Sequence, residues 1–299
     1  MDTRPVAHAG LELTRVVVGA APVPVARGVG LLNEAAELGV RALDAGVLAG
    51  GETASERWLE EREGEGVVVL AAVGGNADPG RGSNLSAARV TQDLGVAARR
   101  LGRLDLAWLR GADAQTPLED SLAPIAAALE EGRIRGYGAG GFDAWQLEAL
   151  LAAADRAGLP APGFVRVRFN LVDRAAERDL LPLATGEGLA VLAAAPLAAG
   201  RLTDAHVAEE EAAEQAARAA AEPRSAPPDP DLGRLIAVRD LARARDVSTS
   251  AIAIAWLLGH PAVAAAVIAP RAAAEWDWVH EALAAPLADD ELDRLSTLP

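Results

Sequence analysis

Short apolar runs of strand length recur along the chain, separated by longer Ala- and Leu-rich stretches whose apolar positions repeat with helical spacing. The runs fall near Arg15 to Gly19, Arg41 to Asp44, Val67 to Val73, Leu104 to Leu109, Ile134 to Ala139, Gly163 to Phe169, Leu189 to Ala194 and Ala264 to Ile268. Such alternation is the mark of a parallel sheet with crossover helices, and eight units in succession predict a closed (β/α)8 TIM barrel. Helix ends are readable as well. In Thr116-Pro117-Leu118-Glu119, Thr116 is expected to cap, Pro117 to occupy the first turn and Glu119 to complete a capping box.

One stretch breaks the rhythm. Residues 203–231 are acidic and Ala-rich and end in Glu-Pro-Arg-Ser-Ala-Pro-Pro-Asp-Pro-Asp. They follow the seventh strand, on the face where barrels build their sites, so the segment is expected to be a long loop: a lid over a pocket, or a surface insertion. The barrel pattern resumes at Leu235, which makes residues 1–299 a single expected domain.

Composition narrows the function classes. Hydrophobic residues make up 51% of the 299, yet no apolar run approaches the roughly 20 residues a bilayer requires. The excess of 43 Asp and Glu over 28 basic residues gives −15, the wrong sign for a phosphate-backbone partner. Neither nucleic acid nor membrane is expected as a partner. The absence of Cys removes thiolate chemistry and disulfides, and His8, His206, His260 and His280 lie apart, so no metal site is expected. All the basic residues are Arg, and the Ala-rich, Lys-free chain has the composition of a GC-rich bacterial genome. No apolar h-region follows Met1, so no signal peptide is read and the expected compartment is the cytoplasm.

Several segments, in order along nearly the whole chain, resemble the aldo/keto reductase superfamily. They include Gly10-Leu11-Glu12-Leu13, Leu43-Asp44 followed by Ser55-Glu56-Arg57, Gly132-Arg133-Ile134-Arg135, Phe169-Asn170-Leu171-Val172-Asp173-Arg174, Pro196-Leu197-Ala198 with Gly200-Arg201-Leu202-Thr203, and Ala253-Ile254-Ala255-Trp256. The resemblance implies an eight-stranded barrel that reduces carbonyls with NADPH through an Asp, Tyr, Lys and His tetrad. A hydride delivered to carbonyl carbon leaves charge on oxygen, so a phenol donates, a lysine lowers its pKa, an aspartate holds the lysine and a histidine orients the carbonyl.

Against that pattern only the Asp position, Asp44, matches. The Tyr position holds Ala49, the Lys position falls in Leu70-Ala71-Ala72-Val73-Gly74, and the His position holds Arg110. At the cofactor positions, Gly140-Gly141 replaces a Ser-Asn pair, Arg166 replaces a Gln, and Ala194 replaces the aromatic that stacks on nicotinamide. Arg271 is the position that would hold a phosphate if NADPH binds, but Glu275 stands where a second basic residue is implied. No cofactor is therefore favoured.

The residues that remain define a candidate site. Asp44 has lost its lysine and needs a cation, for which Arg110 is nearest by strand order, with Arg166 and Arg168 behind it. An Asp44 to Arg110 ion pair is the expectation. Arg110 and Arg166 are also candidates to bind an anionic or carbonyl-bearing ligand. For proton transfer the candidates are Asp44, Glu52 beside the vacated Tyr position, and Tyr137, which lies within its strand and reads first as core packing with a satisfied hydroxyl. Trp108, two residues before Arg110 and on the same side of its strand, is a core filler or a pocket wall. Trp145 and Trp256 read as structural; Trp276 and Trp278 diverge on one helix.

Three functions are compatible with these residues. The first is non-redox chemistry on a small molecule of specialised metabolism, of cyclase, dehydratase or isomerase type, at Asp44, Arg110 and Arg166. The second is NADPH-dependent carbonyl reduction with a rearranged proton donor, and the third is a non-catalytic ligand- or partner-binding protein. The sequence leaves the oligomeric state open.

Overall fold

A computed structural model of the chain describes residues 1–48, 50–62, 66–75, 82–220 and 229–297. Eight parallel strands close into a barrel: β3 (Val16–Gly19), β4 (Ala42–Asp44), β5 (Val68–Val73), β6 (Leu106–Arg110), β7 (Gly136–Gly140), β8 (Phe164–Arg168), β9 (Ala190–Ala194) and β10 (Val263–Ile268), with β10 pairing both β9 and β3. Each lies within two or three residues of an apolar run read from the sequence. Ahead of them β1 (Thr3–Val6) and β2 (Leu11–Thr14) form an antiparallel hairpin that the apolar runs did not reveal. Two four-residue strands, one carrying Pro5, are too short to print a period.

The hairpin packs into the N-terminal end of the barrel, where Val6, Ala9 and Leu13 join the interior cluster. Glycine makes the approach feasible: a Cβ on Gly136 would lie 2.9 Å from that of Ala9, and one on Gly163 would lie 2.5 Å from the Ala7 carbonyl oxygen.

The helices α1 (Val25–Glu37), α2 (Ala54–Arg62), α3 (Ala87–Leu101), α4 (Leu118–Glu130), α5 (Ala144–Arg156) and α6 (Leu180–Gly186) follow successive strands. Between β9 and β10 come α7 (Asp204–Ala220), α8 (Leu232–Arg245) and α9 (Thr249–Gly259), and α10 (Glu275–Ala284) and α11 (Asp289–Ser296) close the chain. Local chemistry sets many of the ends. Ser86 accepts the Arg89 N–H at the start of α3, which stops at Gly102 with φ +71°. Ahead of α4 the expected capping box does not form: the helix begins at Leu118, Thr116 donates its hydroxyl to Asp113, and Glu119 pairs with Arg156.

Outward-facing strand residues pack on the helices, and inward-facing ones fill the barrel. On β7 the inward positions are Gly136, Gly138 and Gly140, and the empty space is taken by neighbours' rings. A Cβ on Gly138 would lie 2.7 Å from the Phe164 ring, and one on Gly140 would lie 2.6 Å from Cε3 of Trp108.

Residues 203–231, expected as a loop, carry α7 over most of their described length; residues 221–228 lie outside the described residues. The Ala- and Glu-rich composition of the segment is good helix-forming composition. No helix among the described residues is long and apolar enough to cross a membrane.

Candidate active site

Barrel interiors are filled in layers, each from alternate strands. At the C-terminal end, β4, β6 and β8 contribute Asp44, Trp108 and Arg166 to one such layer. Arg166 Nε donates to Asp44 Oδ2 at 2.9 Å, while Trp108 Nε1 and the Gly46 N–H donate to Asp44 Oδ1 at 3.1 and 3.0 Å. The guanidinium carbon lies 4.9 Å from the Trp108 ring centroid, within range of a cation–π contact. Asp44 is only 2% exposed, so a carboxylate that would be costly to bury alone is held by three donors, one of them charged.

The cation is therefore Arg166 and not Arg110. Strand order made Arg110 the nearer candidate, but Trp108 takes the level that faces Asp44. Arg110 sits two residues higher and lies against Gly75, where a Cβ would come within 3.1 Å of its Cδ and Nη1. Its backbone carbonyl accepts the Ser83 hydroxyl.

Asp44 and Arg166 open onto a cleft of about 420 Å³ that leaves the barrel axis between the ends of β9 and β10. Gly19, Gly46 and Val267 flank its inner end, and Arg271, Glu275 and Trp278 line its outer end. The segment after β9 forms one wall, with left-handed backbone at Ala195, Ala198 and Ala199 (φ +56°, +49° and +58°), a conformation unfavourable for residues with a Cβ. Asn170, fully buried, helps hold it: its side-chain amide donates to the Ala195 carbonyl at 2.9 Å while its oxygen accepts the Val172 and Asp173 N–H groups. Asn170 had been read only as part of a motif; an Asn that follows a strand and precedes a turn was the available signal. Trp276 turns inward and donates to the Leu31 carbonyl at 3.0 Å, whereas Trp278 is half-buried in the cleft wall.

Two other candidates fall outside the cleft. Glu52 is exposed beside Glu56, Arg99 and Arg100, in a groove on the flank of α2 and α3. Tyr137 points outward from β7 into the core, where its hydroxyl donates to the Pro160 carbonyl at 3.0 Å and burial pushes the phenol pKa above its ordinary value. Its strand parity opposes that of the β7 glycines, so it does not reach the barrel interior. Ala49, at the implied phenol position, lies outside the described residues. Arg168 lines the cleft rim, exposed and paired with Asp173 at 2.8 Å.

At the cleft edge, Arg201 gathers both ends of the segment after β9. It donates from Nε to Asp229 at 2.6 Å and from Nη2 to Asp231 at 2.7 Å, and His206 Nε2 lies 3.1 Å from Asp229. The guanidinium holds the Asp229 carboxyl well below the usual carboxylate range against the opposing effect of desolvation, with the Asp231 N–H and His206 adding to it.

The positions that the resemblance assigns to nicotinamide can be tested against these contacts. At Gly140 the space for a polar side chain is occupied by Trp108. Arg166 is committed through Nε to Asp44, and Ala194 is buried and carries no ring. Ala194 offers no stacking face, and of these positions only Arg166, through its Nη atoms, presents hydrogen-bonding groups to the cleft. Arg271, by contrast, is exposed and makes no ion pair among the described residues.

The sequence was compared with known proteins. It matches the aldo/keto reductase family over residues 19–298. Similar proteins include the versiconal hemiacetal acetate reductase of Aspergillus parasiticus, 26% identical over 179 residues that cover 59% of this chain and 52% of that one. The NADH-specific methylglyoxal reductase of Escherichia coli K12 is 28% identical over 125 residues, covering 40% of this chain and 36% of its own. A probable voltage-gated potassium channel subunit beta of Arabidopsis thaliana is 25% identical over 196 residues, covering 61% and 58%. The chain thus spans about half the length of the first of these relatives. With the family match running from the end of β3 through the other seven barrel strands, the chain belongs to the aldo/keto reductase family.

Proposed function

We propose that this chain is a non-redox member of its family, a barrel that binds a small molecule through an anionic or carbonyl oxygen and carries out isomerase- or dehydratase-type proton chemistry on it. The observation that carries the reading is the disposition of Arg166. Its Nε is spent on Asp44 and its plane is supported by Trp108, while Nη1 and Nη2 have no partner among the described residues and the side chain is 30% exposed to the cleft. A fixed guanidinium fork suits a carboxylate or a carbonyl oxygen.

With the carbonyl oxygen on that fork, negative charge developing on oxygen is stabilised where it forms. Asp44 Oδ2 then takes the proton from the adjacent carbon, and the C–H electron pair moves into the enolate. Return of the proton to a different carbon is isomerisation; its delivery by Asp44 to a neighbouring hydroxyl, which leaves as water as the enolate electrons form the C=C bond, is dehydration. An arginine keeps its proton at all working pH values, so it orients and stabilises but does not donate. The absence of a ring at Ala194 and the filling of the space at Gly140 by Trp108 support a reading without nicotinamide.

A second reading, NADPH-dependent reduction, is supported by the reductase names of the relatives and by the cleft's extension to Arg271 and Trp278. The experiment for the first reading is a thermal-shift titration with benzoate, a minimal carboxylate. Binding to the native state raises the unfolding midpoint. A saturable rise in the wild type that is absent in Arg166→Gln is expected; no rise in the wild type overturns the reading.

A further inference from the structure

The central cleft, of about 420 Å³, is larger than a carboxylate or carbonyl group on Arg166 requires. Clefts of roughly 300–1,000 Å³ enclose a whole small ligand, so the rest of this one calls for the body of the molecule whose oxygen Arg166 holds. Its walls are aliphatic. Pro196 and Leu197 stand on the β9 side, Val267 and Ile268 at the end of β10, and Ile254 comes from α9. Trp278 is the one aromatic side chain among the lining residues, and it stands at the outer end.

The polar side chains along the cleft are already committed. Asp44 is held by Arg166, and Arg168 pairs with Asp173 at the rim at 2.8 Å. The Thr203 hydroxyl donates to the Gly200 carbonyl at 2.7 Å, and the Glu275 carboxylate accepts the Arg271 N–H at 3.2 Å. The Arg271 side chain is exposed at the mouth, where water satisfies it. A polyhydroxylated or phosphorylated body would lose its hydration against Leu197, Ile254 and Val267 with few partners to replace it, whereas a hydrocarbon body gains from the same transfer.

We infer that the ligand of this site is an acid or oxo compound with an unbranched aliphatic chain, and that the chain lies along the cleft between the ends of β9 and β10 toward Trp278. The inference rests on the proposed function, because it assigns the body of the same ligand. Arg166 fixes the oxygen-bearing head beside Asp44 Oδ2, and burial of the chain supplies affinity in proportion to the apolar area removed from water. The outer end, at Arg271, is the position that the resemblance assigns to a cofactor phosphate, so the chain runs into space that a nucleotide would need.

The test is a series of straight-chain carboxylates, butyrate, hexanoate and octanoate, with dissociation constants measured by calorimetry on the wild type, Trp278→Ala and Ala269→Asp. In the wild type, affinity is expected to rise about threefold per added methylene, as for a chain transferred out of water. Ala269 is exposed just after β10 and lines the cleft, so Ala269→Asp keeps the fold and sets a carboxylate beside the chain. That variant is expected to lose most of the gain, and Trp278→Ala to lose the step from hexanoate to octanoate. If benzoate binds the wild type but octanoate binds no more tightly than butyrate, the chain assignment is overturned while the proposed function stands. A gain of the same size in both variants places the chain outside the cleft and overturns it as well. If neither benzoate nor any member of the series binds the wild type, both are overturned.

Discussion

Asp44 and Arg166 are joined across the full width of the barrel mouth. Their strands, β4 and β8, stand four places apart in a closed ring of eight, so the 2.9 Å contact spans a diameter and not a neighbouring pair. Trp108, on the strand midway between them, donates to the same carboxylate and supports the same guanidinium. The layer is polar where barrel layers are ordinarily branched and apolar.

Removing Arg166 leaves a nearly fully buried carboxylate with two neutral donors. Arg166→Met is expected to destabilise the protein by about 2–4 kcal/mol, and Asp44→Asn in the same chain to restore part of the loss. Urea denaturation of the two single variants and the double variant measures the coupling; additive effects would show that the pair is not the partner that matters.

The Trp108 ring needs Gly140 to have no side chain. Gly140→Ala places a methyl against the ring and is expected to cost about 1–3 kcal/mol, with a changed near-ultraviolet circular dichroism spectrum as the indole moves. An unchanged spectrum and stability would place the ring elsewhere.

Tyr137→Phe removes one buried hydroxyl and its bond to the Pro160 carbonyl. A loss of about 1 kcal/mol is expected, with benzoate affinity equal to that of the wild type, because the phenol lies outside the cleft. A large loss of ligand affinity would return Tyr137 to the site.

The Arg201 cluster carries a pH dependence of definite sign. Asp229 titrates below its unfolded value because Arg201 stabilises the carboxylate. Its contribution is complete above about pH 4 and is lost as pH falls below that value through the folded pKa. Asp229→Asn is expected to be less stable than the wild type at neutral pH and to lose less on acidification from about pH 5 to about pH 3. Urea midpoints across that range check it, and parallel slopes would contradict it.

The barrel was legible because each strand is a local apolar run whose meaning does not depend on its partners. The Asp44 partner was not legible, because it depends on which residues share a layer. Strand order favoured Arg110, but the level that faces Asp44 is set by shear and by the size of Trp108. The same holds for Gly140, which reads as a lost cofactor contact in the sequence and as room for an indole in the fold. Glu52 and Tyr137 were drawn toward the site by sequence proximity to a strand end and by chemistry; exposure on the flank and outward strand parity remove them. Trp145, read as structural, is 66% exposed; helical position alone could not show this, because its exposure depends on the groove that α6 leaves beside α5.

The measurement that tests the central claim most directly is titration with NADPH, followed by nicotinamide fluorescence and by the thermal midpoint. With Arg166 tied to Asp44 over Trp108, no saturable change in nicotinamide emission is expected up to about millimolar cofactor. A saturable micromolar site with enhanced nicotinamide emission would contradict the account and return the chain to the reductases.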